Sequence, residues 1–173
     1  MIPEHIDIAG LSSLLGDATV VIDDTFPLDD TVDPAMLESE VANAATAEPA
    51  MGTVKMALVP GEGISSADLR DVAQGIKDST GATTVIVHSP DNTAVVAENF
   101  SRFAIETHTS ALANPANAES AADVATSTAH FAELVAADQP PTLTITGLVL
   151  AGTITCIATG AFATKLITKV TRT

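Results

Sequence analysis

Between Ile6 and Ala137 short β-branched runs alternate with stretches in which apolar residues return every three to four positions. Ile6, Leu11, Leu14 and Leu15 form a short amphipathic helix or turn, and Ala18–Ile22 reads as a strand. An acidic loop follows. Asp33-Pro34 then predicts a helix start, with Asp as N-cap and Pro in the first helical position. Leu37, Val41, Ala44 and Ala45 carry that helix to about Glu48, and Pro49 and Gly52 end it. Thr53–Val59 is the second predicted strand, closed by Pro60-Gly61. Ser65 with Asp68 resembles a capping box. Leu69, Val72, Ala73 and Ile76 then give the clearest amphipathic helix, which Gly81 terminates. Thr83–Val87 is a buried third strand, and Ser89-Pro90-Asp91-Asn92 is a turn from which Thr93–Ala97 returns in a hairpin. Ser101–Leu112 favours helix from about Phe103. A last helix carries Val124, Phe131 and Val135 on one face to Ala137. This order predicts an α/β fold: a small mixed sheet of about four strands sandwiched by helices.

The rhythm changes after Asp138. Residues 139–164 contain no charged side chain, and the core from Leu143 to Ala163 is almost wholly apolar, Gly or Thr. A bilayer-spanning helix takes ~20 such residues, so this segment is expected to be a single transmembrane helix, entered through Pro140-Pro141. A buried core helix is the alternative. Small residues recur one turn apart at Gly152, Cys156 and Gly160. Such a row would pack helix against helix in lipid, including in a homo-oligomer. A chain rich in Ala and Thr also produces such rows without a packing role. The organisation is therefore an acidic soluble domain at 1–138, a span at 139–164 and a short basic tail at 165–173.

Charge sharpens this division. The chain has 173 residues and a net charge of −15. All 22 acidic residues lie at or before Asp138, with only Lys55, Arg70, Lys77 and Arg102 against them, so the domain stands at −18. The tail holds Lys165, Lys169 and Arg172 and no acid. A strongly acidic domain excludes general nucleic-acid binding, which needs a basic face. The absence of Trp and Tyr argues against stacking platforms, and the 46% apolar content excludes a wholly disordered acidic chain. The first residues, Met1-Ile2-Pro3-Glu4-His5, show no signal-peptide pattern, which by default leaves the domain in the cytoplasm. The basic tail favours the opposite orientation, tail inside and domain extracytoplasmic, and that arrangement is the one expected. The lone Cys156 falls inside the span and implies no disulfide.

Candidate chemistry is sparse. Asp23, Asp24, Asp29, Asp30 and Asp33 place five carboxylates within eleven residues after a strand. Hard cations such as Ca²⁺ or Mg²⁺ prefer oxygen ligands of this kind. The alternative is a solvated loop whose last Asp caps a helix. His88, Ser89 and Asp91 cluster at the end of the central strand, where α/β sites tend to lie. Adjacent strand residues point to opposite faces, so a turn with a surface His is the simpler reading. His5, His108 and His130 lack metal-ligand spacing. Gly61-Glu62-Gly63 lacks the Lys of a phosphate loop and reads as a βα turn. No catalytic residue is assigned.

The opening Ile2-Pro3 with Ile6-Asp7-Ile8, the β-α-β segment containing Leu69-Arg70-Asp71 and Thr84-Val-Ile-Val-His-Ser-Pro90, and the C-terminal span resemble a family of small actinobacterial single-pass membrane proteins. Members of that family lie beside genes for NlpC/P60 cell-wall endopeptidases, and their soluble part is similar to the TPM domain, a small α/β sandwich. The resemblance implies a membrane-tethered module of the cell envelope. Its partners would be the lipid bilayer and an envelope protein such as a peptidoglycan hydrolase or its regulator. Some TPM domains are described as metal-binding phosphatases. The Asp23–Asp33 cluster is where such a role would fall here, which makes a divalent-metal-dependent phosphatase the alternative to a non-enzymatic partner-binding module.

Overall fold

The computed structural model describes residues 6–27, 32–61, 63–112 and 121–138. The chain divides into two units, Met1–Asp138 and Gln139–Thr173. The described residues all belong to the first. The proposed span, with Gly152, Cys156 and Gly160, and the basic tail lie outside them.

The observed order is α1 (Ile8–Asp17), β1 (Val20–Ile22), α2 (Pro34–Ala47), a 3-10 turn at Pro49–Met51, β2 (Val54–Leu58), α3 (Ser66–Thr80), β3 (Thr84–His88), β4 (Thr93–Ala97), α4 (Arg102–Leu112) and α5 (Ala121–Ala137). Local chemistry accounts for the boundaries. Asp33 accepts a hydrogen bond from the Ala35 N–H and Pro34 opens α2. The Ser65 hydroxyl accepts from the Asp68 N–H at 3.2 Å and donates to the Asp68 carboxylate at 2.8 Å, which fixes the start of α3. Gly81 ends that helix in the left-handed region, at φ 68°, where a side chain would be strained. Gly52 turns the chain into β2 at φ 61°, and a Cβ there would lie 2.5 Å from Thr83 Oγ1.

The four strands form one sheet in the order β1-β2-β3-β4. The first three are parallel, and β4 returns antiparallel along β3 with Ile86 opposite Val95. Side chains alternate across this sheet into two cores. One face carries Val20, Met56, Leu58, Ile86 and Val95 beneath α2, α4 and α5. The other carries Val21, Ala57, Val85, Val87 and Ala94 beneath α1 and α3. Leu37 and Val41 of α2, Leu69 and Ile76 of α3 and Phe131 of α5 are all fully buried, each contributing roughly 1.5–3 kcal/mol of transfer free energy. The result is a three-layer α/β/α sandwich.

The layering has a topological consequence. The chain moves from β1 to β2 to β3 in one direction across the sheet. Two crossovers of the same hand would put α2 and α3 on the same face. They lie on opposite faces, so one of the two connections is left-handed, against a strong general preference for right-handed ones.

One sequence expectation about the core fails. Leu14 does not join Ile6, Leu11 and Leu15 in the interior; it is 61% exposed. It lines a recess with Val21 and Ile22 of β1, the strand at one end of the sheet.

Candidate functional site

The parallel strands β1, β2 and β3 all point their C-terminal ends toward one end of the sheet, which gathers the acidic loop, the β2–α3 loop and the β3–β4 turn. This is where most of the candidate polar residues fall. The structure shows several of them bonded to nearby groups of the domain itself. The Asp91 carboxylate accepts from the Gly63 N–H at 2.6 Å. A carboxylate therefore already occupies the position an anion would take in the glycine loop. Asn92 donates from its amide to the Ile64 carbonyl and accepts from the Ser66 hydroxyl at 3.1 Å. The β3–β4 turn is in this way stapled to the start of α3.

His88 corrects the reading of a turn with a surface His. It is 3% exposed. As the last residue of an interior strand it points into the same face as Ile86, and its Nδ1 is 2.9 Å from the Thr93 hydroxyl directly opposite on β4. The Phe26 ring, from the acidic loop, lies against it at 6.0 Å between centroids, tilted by 57°. Burial pushes its pKa down to about 4, so the imidazole is neutral at physiological pH. The Ser89 hydroxyl donates to the Asn92 carbonyl at 3.3 Å. Both members of the Ser-His pair thus serve the hairpin.

Two carboxylates of the acidic cluster have local structural partners. Asp23 accepts from both the N–H and the hydroxyl of Thr25, at 2.9 and 2.7 Å, and Asp33 caps α2. Asp24 is exposed. Asp29 and Asp30 lie outside the described residues. Among the described residues no three His, Cys, Asp or Glu side chains come together as metal ligands. His108 has a partner that its sequence spacing did not reveal: its Nε2 lies 2.6 Å from an Asp138 carboxylate oxygen, tying α4 to the end of α5.

Away from this end, the outer edge of β4 runs between α3 and α4. Two adjoining cavities of about 210 and 230 Å³ lie along it. They share Arg70 of α3 with Val95, Ile105 and Glu106. Glu106 Oε1 takes both Arg70, at 2.9 Å, and Arg102, at 2.8 Å. The Arg102 hydrogen bond and the two positive charges hold the Glu106 pKa below the usual carboxylate value. No sequence motif marks this place. The only signal available was the scarcity of cations in the domain.

Comparison with known proteins places the chain. The family described as "Membrane protein Rv1476" matches residues 1–172. The chain belongs to that family. No curated protein and no solved structure matches it. Membership makes this a membrane protein. Among the described residues no helix is long and apolar enough to cross a membrane; the uncharged residues 139–164 lie outside them.

Proposed function

We propose that this chain is a membrane-anchored, non-enzymatic module of the cell envelope whose acidic domain binds a partner protein. On this reading residues 139–164 cross the bilayer once, the TPM-like domain lies on the extracytoplasmic side and the basic tail stays inside. The partner is a peptidoglycan hydrolase or a regulator of one, at work in cell-wall remodelling or division. The supporting observation is the state of the sheet's C-terminal end. In α/β folds that end usually opens into a ligand crevice; here Asp91, Asn92, Ser66 and His88 bond to the domain's own groups. Recognition then falls to the outer surfaces of the domain. Family membership along residues 1–172 supports the anchor.

Sidedness and partner binding can be tested together. With Cys156 replaced by Ala, a Ser39→Cys variant places one thiol on the exposed side of α2. An impermeant maleimide should label it in intact cells, and labelling only after lysis would reverse the orientation. Crosslinking in living cells should then recover the same envelope protein reproducibly. Failure to recover one would overturn the partner-binding reading.

A further inference from the structure

We infer that the outer edge of β4 is a docking site for an extended, acidic segment of a partner protein, added as a fifth strand and held by Arg70 and Arg102. The inference deepens the partner-binding reading and rests on it.

The backbone supplies the first argument. Glu98 N–H bonds to the Thr83 carbonyl, and Ser89 and Asn92 exchange two bonds. With the observed register, antiparallel alternation makes 85–96 and 87–94 the other hydrogen-bonded pairs. Thr93, Val95 and Ala97 therefore turn their N–H and C=O groups away from β3. β4 is the last strand of the sheet, so these groups face the groove between α3 and α4. Thr93 and Val95 are only 3% and 4% exposed there, so an incoming chain reaches them only once the Arg70–Glu106 bridge between the two helices opens. An extended chain satisfies such a row, and this is the mode by which sheet edges capture peptides.

Charge supplies the second. Of the four cations before Asp138, Arg70 and Arg102 line this groove, and Lys77 sits further along α3, 3.8 Å from Glu98. Two guanidinium groups converge on a single carboxylate oxygen of Glu106. The groove thus carries one positive charge in excess in a domain at −18. Each guanidinium has five N–H donors, so Arg102 can keep Glu106 and still take a carboxylate of the incoming chain when Arg70 lets go. The Arg70–Glu106 contact crosses the groove between the two cavities. It is partly exposed on both sides, and exposed ion pairs add little net stability, so it can open at little cost to admit a strand.

The probe is a capped heptapeptide of alternating Val and Asp, titrated into the full-length chain in lipid nanodiscs and followed by amide NMR. The amide signals of Thr93, Val95 and Ala97 should shift saturably. Replacing Asp by Lys in the peptide, or N-methylating alternate residues along its bonding edge, should weaken binding at least ~10-fold. The double variant Arg70→Gln/Arg102→Gln should do the same, and Glu106→Gln should strengthen binding. Three results would overturn the proposal: no shift at these amides, equal binding of the N-methylated peptide, or the same shifts on concentrating the protein alone, which would make a second copy the occupant. If the peptide does not bind while crosslinking still recovers an envelope protein, the edge assignment falls and the partner-binding reading stands. If it binds and no partner is recovered, the reverse holds.

Discussion

The two edges of the sheet differ in length, charge and cover. At one end β1 is three residues long, and the surface beside it carries Asp7, Asp23 and Asp24 with the exposed Leu14. At the other, β4 is five residues long and lies in a groove with two Arg against one Glu. A short edge ringed by carboxylates offers an incoming strand few bonds and repels acidic chains, which is how many proteins protect their edges. The β4 edge is long enough to bond and carries the opposite local charge. Because the domain is so acidic, its few cations matter by position: placing two of them on one groove makes the two edges chemically unequal while the sheet between them stays continuous.

The largest effect comes from undermining the wall of the β4 groove. Phe131 is fully buried in the α5 layer that backs α2 and α4. Phe131→Ala should cost ~3–5 kcal/mol in urea unfolding followed by circular dichroism. The exposed neighbour His130→Ala should stay within ~0.5 kcal/mol. A loss below ~1 kcal/mol for Phe131→Ala would contradict the packing of α5 against the rest of the domain.

His88 is the point at which the two halves meet, with Phe26 from the β1 loop on one side and Thr93 of β4 on the other. Its folded-state pKa of about 4 lies below the ordinary ~6.5 of an unfolded chain. Below pH ~6.5 the unfolded state therefore binds a proton that the folded state refuses. The domain should keep its full stability above that pH and lose up to ~3 kcal/mol as the pH falls towards 4. His88→Gln should flatten this part of the profile. A wild-type profile that is already flat between pH 6.5 and 4 would mean the imidazole is not held neutral.

The helix caps separate stability from the difference between the edges. Asp33 starts α2, which follows β1, and Ser65 starts α3, which forms one wall of the β4 groove. Replacing either by Ala should cost about 1 kcal/mol, measured as the shift in urea midpoint. Near-equal losses would show that the edges differ in what they bind rather than in how firmly they are built. A loss at one cap only would tie the difference to folding.

How far the sequence speaks depends on whether a feature is local. The caps at Asp33 and Ser65, the stop at Gly81, the hairpin at Ser89–Asn92 and the buried stripe Leu69, Val72, Ala73 and Ile76 all follow from neighbours a few residues apart, and the structure has them where the pattern puts them. His88 is different. Its burial depends on β3 lying between β2 and β4 and on Phe26, some sixty positions away, folding back over it. The Arg70–Glu106 contact joins helices with β3 and β4 between them in the chain, and no spacing rule connects the two residues. Even the placement of α2 and α3 on opposite faces, with one left-handed crossover, is invisible in the periodicity, because a buried strand shows apolar residues to both sides. The acidic cluster shows the same limit: charge density along the chain says nothing about whether carboxylates converge, and of its members Asp23 and Asp33 turn to separate local partners while Asp29 and Asp30 lie outside the described residues.

The smallest expected change in stability is the most direct comparison of the two edges. Leu14, beside β1, is 61% exposed, and Phe103, next to Arg102 on α4, is 75% exposed. Neither side chain loses much water-free contact on replacement, so Leu14→Ser and Phe103→Ser should each stay within ~0.5 kcal/mol of the wild type. Their effect on crosslinked partner recovery should differ. An exposed aromatic side chain that a partner buries contributes far more to binding than to folding. Phe103→Ser should reduce recovery severalfold, and Leu14→Ser should leave it unchanged. If Leu14→Ser is the variant that loses the partner, binding has shifted to the acidic β1 edge, and the cations along β4 serve only to shield a strand.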